Sequence, residues 1–144
     1  MELFKRSIGL IISCYTRLCI MAQIKIISRS IGEVEVEVLE GRNPRTAEAI
    51  MKALPIEGVA NRWGEEIYFK VPVRIGEENS QEVVEVGDVA YWPPGGAVCI
   101  FFGPTPISRG TEPRAYSPVN VFGRVKGDPK IFRRVKNGEI IAVK

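Results

Sequence analysis

The chain has 144 residues, an apolar share of 45%, a charged share of 26% and a net charge of only +3, the figures of one soluble domain long enough to bury a core without disulfides. Basic and acidic residues interleave along most of the length and mean hydropathy is +0.02, which gives no hint of a membrane class and leaves nucleic acid a minor option. The sequence holds no histidine, so the commonest general base, the commonest metal ligand and every Ser-His or Cys-His nucleophile pair are missing.

Residues 1–20 read differently from the rest. Lys5 and Arg6 precede a short apolar run at 8–13, which imitates the start of a secretory signal. The run is far shorter than the roughly 20 apolar residues that a membrane span needs. The segment reads as an extension outside the domain, with Met21 as the natural start and the domain over 21–144; a lipoprotein signal and a docked edge element are the alternatives. Cys14, Cys19 and Cys99 show no paired spacing, which fits a reducing cytoplasm, and Cys99 reads as an inert core thiol within an apolar run.

From 22–29 a first strand leads through a turn at Ser30-Ile31-Gly32 into 33–38, Glu-Val-Glu-Val-Glu-Val, whose strict alternation gives one buried valine face and one solvated glutamate face. Asn43 as N-cap and Pro44 at the first helical position open a helix that Pro55 stops, with Ala47, Ile50, Met51 and Leu54 as its inner stripe. After a loop at 58–64, strands follow at 66–73 and 83–86. The strand 89–92 ends where Pro93-Pro94 forbid further ladder bonds and Gly95-Gly96 reverse the chain. The strand 98–102 has almost no polar residue, so it is expected to be buried on both faces. A loop at 104–118 rich in Pro, Gly and Arg leads to strand 119–125, a short basic segment at 130–134 and a last strand at 139–143. The expected fold class is mainly β, a closed barrel with one or two capping α-helices.

Several motifs, in this order and spacing, resemble cyclophilins, the β-barrel peptidyl-prolyl isomerases. Asn43-Pro44-Arg45-Thr46-Ala47-Glu48 is similar to the family's helix start, Val121-Phe122-Gly123-Arg124-Val125 to its Val-Phe-Gly-[Lys/Arg]-Val strand, and 98–102 sits at its Gln-Phe-Phe strand. Trp92-Pro93-Pro94-Gly95 together with Phe101-Phe102-Gly103-Pro104-Thr105-Pro106 resembles the small atypical cyclophilin-like proteins of archaea and thermophilic bacteria. The resemblance implies a cyclophilin-like barrel over 22–144. It also places Lys70, within Tyr68-Phe69-Lys70-Val71, where cyclophilins carry the arginine that polarises the prolyl amide. Lysine offers a mobile point charge in place of a planar fork of donors, and the family's pocket histidine has no counterpart here.

The expected function is therefore a binding module for a peptide or small ligand, without efficient isomerase activity, and the alternative is a divergent isomerase with Lys70 as its catalytic cation. The expected ligand-binding residues are Trp63, Tyr68, Lys70, Tyr91, Trp92 and Phe102. Aromatics plus one cation suit a planar or anionic ligand. No cofactor or metal site is expected, and an edge strand pairing into a homodimer remains open. A second enzyme reading rests on carboxylates, above all Glu65-Glu66 beside Trp63, although adjacent strand residues point to opposite faces. A third, polyanion binding, rests on Arg109, Arg114, Lys126, Lys130, Arg133, Arg134 and Lys136.

Overall fold

Alternation at period two generates most of the molecule, because strands whose odd and even residues are both apolar must be covered on both sides. The computed structural model describes residues 20–144. Its elements are β1 (Ile20–Ser28), β2 (Gly32–Leu39), α1 (Pro44–Ala53), β3 (Ile56–Val59), β4 (Asn61–Arg62), β5 (Glu66–Lys70), β6 (Gln81–Val83), β7 (Asp88–Trp92), β8 (Ala97–Phe101), β9 (Arg114–Val125), a 3-10 helix (Pro129–Arg134) and β10 (Ile140–Val143). The expectations for the N-terminal extension, including Cys14 and Cys19, fall on residues 1–19, outside the described residues; Ile20 already pairs with Leu39 at the head of β1. Among the described residues no helix is long and apolar enough to cross a membrane.

The strands form one antiparallel sheet in the order β3-β10-β1-β2-β9-β7-β8-β5-β4, with β6 added to β9. No ladder pairing closes the expected barrel: the terminal strands β3 and β4 are not paired with each other. The reason is local. Only Ala60 separates them, and an antiparallel pair needs a loop of at least about two residues to fold back on itself. The two ends of the sheet still come close, since a Cβ on Gly58 of β3 would lie 3.0 Å from the Lys70 carbonyl oxygen of β5.

One face of the sheet holds the main core. Ile24, Ile26, Val36, Val38, Ile67, Phe69, Val89, Tyr91, Val98 and Ile100 point there, covered by Ala47 and Ile50 of α1 and by Phe132 of the 3-10 helix. The opposite face of β5, β8, β7 and β9 carries a second, smaller cluster of Ala90, Cys99, Phe101, Ala115, Val119 and Val121, with Tyr68 and Trp92 packed against it. All five residues of β8 are buried, as its unbroken apolar composition requires. Four elements differ from expectation: the loop 58–64 contains β3's end and β4, β5 stops at Lys70 rather than at 73, β6 lies at Gln81–Val83 rather than 83–86, and β9 begins at Arg114, inside the supposed loop.

The helix spans Pro44–Ala53, yet its cap is not the expected one. Asn43 stands at the N-cap position and its side chain turns away to tie other segments together, Nδ2 donating to the Val121 carbonyl (2.7 Å) and Oδ1 accepting from Asn79 N–H (2.7 Å). The free N–H groups of Arg45 and Thr46 donate instead to the two carboxylate oxygens of Glu78, 3.1 Å each, and Thr46 Oγ1 donates to Glu78 Oε1 at 2.9 Å. Glu78 is held in turn by its own N–H on Asn120 Oδ1 (3.0 Å), and the buried Asn120 donates to Thr46 Oγ1 and to the Gly76 carbonyl. A carboxylate at a helix start answers both the unpaired donors and the helix dipole.

Burial acts to raise the pKa of Glu78, but these donors and the Arg45 charge outweigh it and hold the carboxyl below its ordinary value of 4.5. A depressed carboxylate stabilises the fold above its unfolded pKa, and that stability is lost as pH falls through the folded value. Glu78→Ala is expected to cost about 1–2 kcal/mol at pH 7 in urea denaturation, and the gap between variant and parent should shrink as the pH is taken below 4.5.

Candidate functional site

On the outer face, four aromatic side chains converge on one carboxyl group. Trp63, Glu66, Tyr68, Trp92, Cys99, Ala115, Tyr116 and Val119 line a cleft of about 190 Å3. The apolar lining with a single carboxyl group is that of a ligand site, and the volume, below the roughly 300–1,000 Å3 of drug-sized pockets, suits a small molecule. Tyr68 and Cys99 are cross-strand partners on β5 and β8, which puts them side by side on the floor. Trp92 closes one wall at the end of β7 and Trp63 another. Tyr116, 70% exposed on the early part of β9, stands over the mouth. The rings meet edge to face, Trp63 with Tyr116 at 6.0 Å, Trp92 with Tyr116 at 6.2 Å and Tyr68 with Trp92 at 6.3 Å between centroids, the arrangement that ring quadrupoles favour.

The walls are fixed by the backbone around them. Trp63 N–H donates to the Glu66 carbonyl (2.9 Å) across a tight turn whose Gly64 has φ +64°, and Glu65 N–H donates to the Pro104 carbonyl (3.0 Å). Trp92 Nε1 donates to Ser117 Oγ at 2.7 Å, which ties the indole to β9. Gly95 lies flat against the same indole, so close that a Cβ there would overlap Trp92 Cε3 and Cζ3. The segment carrying Tyr116 is itself braced: Thr105 Oγ1 donates to the Arg114 carbonyl (2.6 Å), and the Glu112 carboxylate accepts from the Arg109 and Gly110 N–H groups.

Glu66 is the chemical centre of this cleft. It is 4% exposed, and its Oε1 is fully buried without a hydrogen-bond partner. Burial pushes its pKa from 4.5 up to about 7, and the neighbouring Cys99 thiol, which favours the charged form, offsets only part of that. The Cys99 thiol is pushed well above its ordinary value by burial and by the Glu66 charge, so it stays protonated and is no nucleophile at neutral pH. Glu65, one residue earlier, faces the other way and is neutralised by Arg133 (Nε to Oε1, 2.6 Å) and Arg62 (3.9 Å). The two carboxylates therefore do not act as a pair.

Of the six residues expected to bind ligand, Trp63, Tyr68 and Trp92 come together here. Tyr91 and Phe102 lie on the opposite face, 0% and 1% exposed. Tyr91 donates its hydroxyl to the Val73 carbonyl (2.5 Å), and Phe102 stacks on Phe132 with the Arg62 guanidinium 5.2 Å above its ring. Both are parts of the main core, since they stand one residue out of phase with the cleft-facing positions. Lys70 is exposed at the far end of β5, opposite Ala97, and does not line the cleft. Glu66, Cys99 and Tyr116 were not among the expected residues. Glu66 had been singled out only as half of an acidic pair beside Trp63; the available signal for its place here was its parity with Tyr68 on β5, which puts the two on one face.

An acid with a raised pKa subtracts stability as the pH climbs, because between the two pKa values the unfolded chain gives up its proton while the folded one keeps it. For Glu66 the penalty accumulates from about 4.5 to about 7 and stays constant above. It is on the order of 3 kcal/mol. Glu66→Gln is expected to be more stable than the parent at pH 8 by up to that amount and to lose most of the advantage at pH 4.5, as read by urea denaturation at both values.

With the geometry in place, the chain can be compared with known proteins. Comparison with the curated proteins gives no match. Among solved structures, the solution structure of the hypothetical protein AF2241 from Archaeoglobus fulgidus is similar at 47% identity and a TM-score of 0.75, with 90% of this chain and 97% of that one covered. McbB, solved in complex with tryptophan, is similar in fold at a TM-score of 0.68 and 18% identity; 84% of this chain matches 44% of that longer protein. The family model described as cyclophilin-like matches residues 22–144, all of the described residues after the first two of β1, and the chain belongs to the cyclophilin-like family.

Proposed function

We propose that the protein is a binding module for a small ligand, held in the outer-face cleft, and that it is not an efficient peptidyl-prolyl isomerase. The observation that carries this reading is the convergence of Trp63, Tyr68, Trp92 and Tyr116 on a buried carboxyl with an unpaired oxygen. Buried polar atoms ordinarily have partners, and a ligand that supplies one completes the site. Isomerisation asks instead for a donor aimed at a prolyl amide in its twisted state. Lys70, the residue at the position of the isomerase arginine, lies outside the cleft. No arginine or lysine is among the lining residues. The tryptophan complex of McbB, a fold neighbour, supports an aromatic small molecule as the kind of ligand to screen first.

The chain has two tryptophans, and both line the cleft. Intrinsic fluorescence therefore reports on occupancy without a label. Aromatic small molecules that raise the melting temperature are expected to shift or quench this emission. Tyr116→Ala, which removes an exposed side chain, should leave the melting temperature of the free protein within a few degrees and weaken binding by roughly 30-fold or more. Unchanged binding in both Tyr116→Ala and Trp92→Ala would remove the cleft as the site.

The isomerase reading is checked separately with a short proline-containing peptide. The expected rate is that of the uncatalysed reaction for the parent and for Lys70→Ala alike. A rate well above background that disappears in Lys70→Ala would make the protein a divergent isomerase with Lys70 as its electrophile.

A further inference from the structure

The sequence alone suggested a planar or anionic ligand, on the premise that Lys70 joins the aromatics. The structure reverses the sign of the charge. Lys70 is outside the cleft, and the ionisable side chains lining it are those of Glu66, Tyr68, Cys99 and Tyr116, all acids and none of them a base. An anion would find no compensating charge there and would face a carboxyl group. A neutral hydrocarbon would fill the aromatic box but leave Glu66 Oε1 buried and unpaired, the costly arrangement that exists already.

We propose that the cleft takes an organic ammonium ion, its N–H donated to Glu66 Oε1 and its charge held among the faces and edges of Trp63, Tyr68, Trp92 and Tyr116. This rests on the reading of the cleft as a small-ligand site. Aromatic rings attract a desolvated cation through their quadrupoles, tryptophan most strongly. A charge-assisted hydrogen bond to a buried carboxylate is worth about twice a neutral one. The two features serve different parts of one ligand: the box selects positive charge without direction, and the single unpaired oxygen selects a cation that carries a proton to donate.

Binding such a cation moves a proton in a definite direction. With its pKa near 7, Glu66 in the free protein holds a proton through most of the acid range. The bound complex is the ion pair, so association below that value releases the carboxyl proton to solvent while the ammonium keeps its own. Affinity is then expected to rise with pH up to about 7 and to level off above it, by up to tenfold per pH unit on the rising limb. The groups facing Glu66 do not compete for this role. Cys99 on β8 stays a thiol, Tyr68 on β5 and Tyr116 on β9 are phenols, Trp92 of β7 does not titrate, and the nearby charges are engaged elsewhere, Arg62 and Arg133 with Glu65 and Arg114 with Glu112 and Glu82.

The test uses three probes with the same phenyl ring and a short side chain: 2-phenylethylammonium, 2-phenylethanol and 3-phenylpropionate. Each is titrated into the full chain with tryptophan emission as the readout. The ammonium is expected to bind at least about tenfold more tightly than the alcohol or the carboxylate. Glu66→Gln, an isosteric change, is expected to bring the ammonium down by about 10- to 100-fold towards the level of the alcohol. Calorimetry of the unmodified protein at pH 6 in two buffers of different ionisation enthalpy should show release of up to one proton per ammonium bound, which needs no variant. Equal affinity for the alcohol and the ammonium overturns the cation assignment while leaving the cleft as a small-ligand site. Binding of none of the three probes overturns the cleft reading itself and this inference with it.

Discussion

The strands β5, β8, β7 and β9 are apolar on both faces over most of their length, and that constraint organises the molecule. On each of these strands one set of alternate residues must satisfy the main core and the other set must satisfy a second, shallower cluster. Ile67 and Phe69 go inward while Glu66 and Tyr68 go outward; Tyr91 goes inward while Trp92 goes outward; Ile100 goes inward while Cys99 goes outward. The inner set is packed against α1 and the 3-10 helix and is closed to solvent. The outer set is covered only partly by β6 and the segment leading into β9, and the uncovered part is the cleft.

That partition also explains what could be read from the sequence. The helix start at Asn43-Pro44, the valine face of β2 and the double burial of β8 all follow from patterns with a single physical reading. The membership of the cleft depends on parity. Tyr91 and Trp92 are adjacent aromatics at a strand end, and nothing in the dipeptide says which is inward; the bulge in the pairing of β7 with β9, between Val89 and Ala90, is set by the partner strand. The same holds for Glu65 and Glu66, one exposed to two arginines and one sealed under aromatics. Tyr116 was hidden for a different reason. The stretch around it has the composition of a loop, and it is the pairing with β6, Val83 opposite Arg114 and Gln81 opposite Val119, that extends β9 back to Arg114.

Family membership accounts for the scaffold and leaves the chemistry to the site, since one fold serves many functions. The likeness to AF2241 is close and covers nearly all of both chains. The likeness to McbB shows how far sequences can drift on this scaffold, at 18% identity. In this chain Lys70, which the motif resemblance places at the isomerase arginine, is solvent-exposed, while the outer face concentrates aromatic area around an acid. The ionisable group that lines the cleft is thus opposite in sign to the one suggested by the motif.

Cleft and core share the same strands but no side chains. The wall between them is one backbone thick, and Ile67 and Phe69 remain in place whatever stands at Glu66 and Tyr68. Tyr116 at the mouth can therefore be exchanged without touching the main core, whereas Cys99, Ala115 and Val119 on the floor also pack the smaller cluster. The cleft is free to vary at its rim and constrained at its base.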